Sequence, residues 1–211
     1  MKNIKWCALI LLLAAGCSSS KLTHSWKAEN IVPKHYSKIL VLGLINEPDL
    51  TLREKMEAHI MDDLKALGYT AICSCDEFNP KAFENMSEQQ TLDKFSNSGI
   101  DAVLTIVLLD KTKEKYYVPS MIRYSPYTIY RDRFWGYYRT MYDRVYTPGY
   151  YVESTKYFWE SNFYEMGNKN MLYSAQSQSF DPSSAQTLGH EYGKMIVKDM
   201  LKQNILKQQN P

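Results

Sequence analysis

Two near-continuous apolar runs of strand length, Ser37–Leu44 and Asp101–Leu109, constrain this chain more than any other feature. The first is Ser-Lys-Ile-Leu-Val-Leu-Gly-Leu, preceded by Pro33; the second carries Ala102, Val103, Leu104, Ile106, Val107, Leu108 and Leu109. A strand sends alternate side chains to opposite faces, so a run without alternation needs apolar cover on both, as a central strand has. Between the runs, Leu52, Met56, Ile60, Leu64 and Leu67 recur at spacings of 4, 4, 4 and 3, the stripe of an amphipathic helix. Asp49 or Thr51 is expected to cap that helix, with Thr51-x-x-Glu54 as a capping box and Gly68 as its stop. Tyr69–Cys73 reads as a short strand, and Ser87 as the cap of a second helix closed by Asn97-Ser98-Gly99. A strand–helix–strand–helix–strand series builds parallel pairing.

The second half changes character. Thr155–Glu165 and Asn170–Phe180 read as strands joined by Met166-Gly167-Asn168-Lys169, a hairpin in which Gly-Asn is expected to supply the positive φ. Tyr157, Trp159 and Phe163 share one face of the first strand. Ser183 or Ser184 starts a last helix reaching about Gln203, with Leu188, Tyr192, Met195, Ile196 and Leu201 as its stripe. The expected fold is α/β: a three-layer domain over residues 35–211 with a mixed sheet, in the order β-α-β-α-β-β-β-α.

The N-terminus carries an address. Met1–Lys5 is basic, Trp6–Ala15 is apolar, and small residues end the run, the pattern of a secretory signal over residues 1–16. About 20 apolar residues are needed to cross a bilayer, and no segment reaches that length. Leu13-Ala14-Ala15-Gly16-Cys17 resembles the lipobox of bacterial lipoproteins, with Ala14 where the strongest form has Leu. That resemblance implies cleavage before Cys17 and acylation of its thiol and amine, which anchors the protein to a membrane; two or more acyl chains hold firmly. Ser18 follows Cys17 where enterobacterial inner-membrane lipoproteins have Asp, which implies the outer membrane. Residues 17–34 are then the lipidated cysteine and a polar tether.

Removal of Lys2 and Lys5 from the 25 basic residues leaves 23 against 23 acidic ones, so the mature chain is neutral. A nucleic-acid binder would carry a basic footprint, so no nucleic-acid partner is expected. With Cys7 lost and Cys17 acylated, Cys73 and Cys75 remain. A Cys-Ser-Cys pair in an oxidising compartment admits a redox or copper reading. On a strand, however, i and i+2 lie near the upper limit for bridging, and no His, Met or third Cys is close in sequence. The pair reads as two small buried or half-buried residues, with no metal site.

The most unusual segment lies between the halves. Residues 116–151 hold 13 aromatics, 11 of them tyrosine, interleaved with Arg123, Arg131, Arg133, Arg139 and Arg144 and punctuated by Pro119, Pro126 and Pro148. Tyr and Arg are enriched in binding hot spots, because a rigid ring buries much area at little entropy cost. Tyr124, Tyr127, Tyr130, Trp135, Tyr138, Tyr142, Arg131 and Arg133 are the candidate partner-binding residues. Two alternatives stand beside that reading: rings that merely cover the sheet edge, and rings that stack on a saccharide.

Ser37–Leu44, the helix through Gly68, the Ile100–Leu104 strand and the hairpin ending in Leu172-Tyr173-Ser174-Ala175 together look like a group of small, mostly uncharacterised bacterial lipoproteins. Their fold is similar to the periplasmic domain of the curli-secretion lipoprotein and to the lipoproteins that activate penicillin-binding proteins. The resemblance runs over residues 35–112 and 152–205 and implies fold and location, with no functional residue to carry over.

Catalytic motifs are missing: there is no phosphate-binding Gly-rich loop, no Gly-x-Ser-x-Gly and no His-Glu-x-x-His, since Lys194 stands where His190-Glu191 would need its second histidine. His24, His35, His59 and His190 show no ligand spacing; His59 is expected on a solvated flank, and Asp62-Asp63 and Asp76-Glu77 as solvated charges or caps. The expectation is a lipid-anchored envelope protein without enzyme activity or cofactor, acting as an interaction module for an envelope protein partner. The alternative is a lipoprotein that takes up a saccharide or peptidoglycan fragment on the aromatic segment.

Overall fold

A computed structural model describes residues 19–46, 50–77, 82–83, 85–118, 134, 138 and 148–209. It is mixed α/β, with strands β1 (Ser20–Lys27), β2 (Ile39–Leu44), β3 (Ala71–Cys73), β4 (Ala102–Val118), β5 (Tyr150–Glu165) and β6 (Asn170–Phe180). The helices among the described residues are α1 (Thr51–Ala66), the single turn α2 (Ser74–Glu77), α3 (Glu88–Asn97) and α4 (Ala185–Lys202). One sheet holds all six strands in the order β1-β6-β5-β4-β2-β3. β2 runs parallel to β3 and β4, and β6 antiparallel to β5 and β1.

The unalternated runs have the expected cause. Ile39 and Val41 of β2 and Ala102, Leu104 and Ile106 of β4 face the core that Met56, Ile60 and Leu64 of α1 and Leu188, Tyr192 and Ile196 of α4 complete. Leu40 and Val103 point the other way, into a smaller cluster with Phe95 of α3 and Ile100, and Leu42 packs against it. Helices on both faces make three layers, and over Ile39–Val41 and Ala102–Leu104 both sides of the strand are removed from water. Trp159 and Phe163 of β5 extend the larger core, Trp159 stacked on Tyr157 at 5.7 Å and tilted against Tyr192 at 5.6 Å.

Local signals are met unevenly. Ser87 caps α3 with a full capping box: its Oγ accepts from Gln90 N–H, and Gln90 Oε1 accepts from Ser87 N–H. Ser184 caps α4 through Thr187 N–H. α1, by contrast, begins at Thr51 with Leu50 in the cap position, so the helix does not start on the expected Thr51–Glu54 box. Gly68 and Gly99 take positive φ after α1 and α3, as helix stops do. In the hairpin the positive φ belongs to Lys169 (57°) and not to Gly167.

The expected tether is the main correction. Residues 20–27 are not a tether but the edge strand β1, paired with β6 from Ser20↔Ser179 to Lys27↔Tyr173. Its register slips between Leu22 and His24, and the extra residue Thr23 donates its hydroxyl to Gln176 O at 2.9 Å. Ser19 adds two anchors, its N–H and its hydroxyl both donating to Glu191 Oε2 at 2.7 Å.

The chain divides into two compact units, one of residues 1–111 and 156–211, the other Thr112–Thr155. Within the second, Tyr117 lies against Tyr151 at 5.2 Å, and Lys115 pairs with Glu153 at 2.6 Å.

α1 and α4 meet through glycine. A Cβ on Gly189 would stand 2.8 Å from Lys55 O and 2.9 Å from His59 Cδ2, and one on Gly193 3.0 Å from Asp63 Oδ2. The backbone of Lys55 cannot yield locally, so Gly189→Ala forces the helices apart. It is expected to cost about 1–3 kcal/mol by urea unfolding, although alanine favours an isolated helix.

Candidate functional site

The densest chemistry in the described residues surrounds one buried carboxylate. Glu57 sits on the inner face of α1 with no exposed surface. Gly43 is in β2, and β3 ends at Cys73 where the chain turns into α2; this brings Gly43, Cys73, Ser74 and Cys75 onto the Glu57 carboxyl. Oε1 accepts from Gly43 N–H (2.8 Å) and the Ser74 hydroxyl (2.8 Å); Oε2 accepts from Cys75 N–H (3.1 Å) and lies 2.9 Å from Cys73 Sγ. Arg53, one turn earlier and also buried, places its Nε 3.7 Å from Oε1. Burial pushes the Glu57 carboxyl above the usual carboxylate range, against the pull of Gly43, Ser74, Cys75 and Arg53.

Cys73 and Cys75 are bridged by a disulfide, with Cα atoms 5.2 Å apart. The strand argument placed the pair near the limit for bridging. It fails because β3 stops at Cys73 and Cys75 belongs to the helical turn, which shortens the separation. One donor atom each from Glu57, Cys73 and Cys75 lies within 4.8 Å of the others. Sequence reasoning missed Glu57 because it looked for partners near residues 73–75, while the partner lies on α1. The available signal was a glutamate on the apolar stripe, one residue after Met56.

A second polar group gathers where α1 meets α4. His59 is half-buried rather than solvated, its ring edge-to-face with His190 at 5.5 Å. Asp63 is likewise half-buried, and burial raises its carboxyl above the ordinary range against the pull of His190 and His59. Deeper in, Tyr173 donates to Asp199 Oδ2 at 2.9 Å, and Tyr192 shares a hydrogen bond with Ser161 at 2.8 Å. Both phenols are pushed upward by burial, which favours their protonated, structural form. Asp76 is exposed.

An open groove of about 460 Å³ lies beside β6, lined among others by Asn30, Ile31, Val32, Tyr36 and Leu172, with the Lys34–Glu165 ion pair on its wall.

Of the candidate partner-binding residues, only Tyr138 is among the described ones; it is exposed and stacks on Phe134 at 5.9 Å. Tyr124, Tyr127, Tyr130, Trp135, Tyr142, Arg131 and Arg133 lie outside the described residues, as does Cys17. The aromatics of the segment that are described, Tyr116, Tyr117, Phe134, Tyr138, Tyr150 and Tyr151, are all exposed, between 45% and 76%. No described helix is long and apolar enough to cross a membrane.

No protein-family model and no curated protein matches the chain. Among solved structures it is similar to the PelC dodecamer from Paraburkholderia phytofirmans, at 11% identity and a TM-score of 0.45 over 90% of this chain and 99% of that one. It is also similar to lipoprotein GNA1162 from Neisseria meningitidis, at 15% identity and a TM-score of 0.43 over 79% of this chain and 99% of that one. A homologue of the neuraminyllactose-binding hemagglutinin from Helicobacter pylori is similar at 10% identity, with a TM-score of 0.35 over 87% of this chain and 92% of that one. No residue role is carried over from these likenesses.

Proposed function

We propose that this chain is a lipid-anchored protein of the bacterial cell envelope, held in the outer membrane through Cys17 and acting as a non-catalytic interaction module through its aromatic segment. The observation that carries the reading is the exposure of six described rings of that segment. Rings that served the core would be covered. Exposed Tyr and Phe, in a segment whose sequence also carries five arginines, are instead available to bury area against a protein partner.

The anchor rests on Gly16-Cys17 at the end of the apolar run. Ser20 already belongs to β1, so three residue steps, about 11 Å at full extension, separate Cys17 from the sheet. An acylated Cys17 would hold the β1 end of the domain close to the bilayer surface.

Cys17→Ala is expected to move the protein from the membrane to the soluble fraction, or to leave the precursor uncleaved. Normal maturation with unchanged membrane fractionation would sink the anchor. For the interaction, residues 120–148 are replaced by a short Gly/Ser linker and the protein is used as bait in solubilised envelopes. The expected result is a folded domain that has lost its partner. Retention of every partner would place the surface elsewhere, and loss of binding to purified cell-wall polymer instead would turn the reading to saccharide recognition.

A further inference from the structure

The Cys73–Cys75 disulfide closes a loop around one residue, Ser74. Cross-links stabilise a fold by restricting the unfolded chain, and the effect grows with the loop they close, so this one does little as a staple. Its surroundings differ sharply between the two sulfurs. Cys73 is 1% exposed and lies 2.9 Å from Glu57 Oε2; Cys75 is half-buried and so open to an incoming thiol. Cys75 N–H points at Cys73 Sγ at 3.2 Å, a donor placed where negative charge would develop if Cys73 were the leaving group.

We propose that Cys73–Cys75 is a thiol–disulfide exchange site for an external dithiol, with Cys75 the sulfur attacked and Glu57 the group that exchanges a proton with Cys73. A thiolate of the dithiol attacks Cys75 Sγ. The bond between the two cysteine sulfurs breaks, and its electron pair passes to Cys73 Sγ, which takes the proton from Glu57 Oε2. The donor is now joined to Cys75 as a mixed disulfide. Its second thiol, deprotonated by solvent, attacks its own sulfur in that bond and releases Cys75, which takes a proton from water. The pair has gained two electrons, and the dithiol has become a disulfide.

Glu57 is left as a carboxylate, held by Gly43 N–H, the Ser74 hydroxyl and Cys75 N–H and faced by Arg53 on its own helix. Asp76, which is exposed, has its Oδ1 3.9 Å from Cys75 Sγ. In the reverse direction the same carboxylate removes the Cys73 proton as the disulfide re-forms. Burial favours the neutral carboxyl, the form that has a proton to give Cys73 as the bridge opens. The proposal rests on residues 43–76 alone and goes beyond the anchoring and docking reading.

The test uses the whole protein in detergent. It is treated with limiting glutathione, free thiols are alkylated, and peptides are mapped by mass; the map keeps Cys17 separate whether or not it is acylated. The untreated protein is expected to carry the 73–75 bridge, and the treated protein glutathione on Cys75 with Cys73 alkylated. Glu57→Gln is expected to slow reduction by dithiothreitol about 10- to 100-fold at neutral pH. Glutathione on Cys73, free thiols in the untreated protein, a folded protein whose bridge resists dithiothreitol, or a reduced pair that holds stoichiometric zinc and will not re-oxidise would each overturn the proposal. An unchanged rate in Glu57→Gln overturns the role of Glu57, and if that variant does not fold, the wild-type adduct map decides.

Discussion

Trp159→Ala is expected to lower stability by about 3–5 kcal/mol, measured as a fall in the urea midpoint at unchanged slope. Trp159 is fully buried between Tyr157 and Tyr192, where the β5 face meets α4. Removing the indole empties the space that holds sheet and helix together. Its Nε1 has no hydrogen-bond partner among the described residues, so Trp159→Phe, which keeps a ring and removes an unpaired N–H, is expected to cost clearly less. Equal losses in the two variants would mean that the indole ring is not what fills this contact.

Glu57→Leu is the second large effect. It orphans two buried donors, Gly43 N–H and the Ser74 hydroxyl, takes from Cys75 N–H its carboxyl acceptor and leaves Arg53 without its carboxyl. At roughly 1–3 kcal/mol for each orphaned donor, partly relieved by relaxation, the expected loss is about 3–5 kcal/mol near pH 5. The sign of its pH dependence follows from the raised carboxyl. The folded state keeps a proton that the unfolded chain has released. The contribution of Glu57 is therefore complete below the ordinary carboxylate pKa and declines as pH rises through the folded-state value. The gap between wild type and Glu57→Leu should narrow from acid toward neutral pH. A gap that widens would show that the carboxylate, not the neutral acid, is the folded-state form.

Elements that carry their reason locally were legible. The β2 and β4 runs, the α1 and α4 stripes, the Ser87 and Ser184 caps and the β5–β6 hairpin each rest on neighbours within a few residues. β1 was not legible, because its partner β6 lies about 150 residues away and an edge strand shows little apolar patterning of its own. The candidate site divides in the same way. Cys73-Ser74-Cys75 stands out in the sequence, but the bridge depends on where β3 ends, and Glu57 joins it only because α1 packs across β2 and β3.

The sequence by itself determined that β2 and β4 are covered on both faces and that α1 and α4 each bury one stripe, because hydrophobic periodicity records burial. It also determined the candidate anchor, since Gly16-Cys17 after an apolar run is a contiguous pattern. Tertiary structure alone decided what meets across long separations: Ser20 with Ser179, Gly189 with Lys55, His59 with His190, and Glu57 with Cys73. The physical reason is that burial can be read from a residue's own chemistry, whereas a hydrogen bond or a close backbone approach is a property of two positions. Which two positions come together is fixed only once the helices have packed on the sheet.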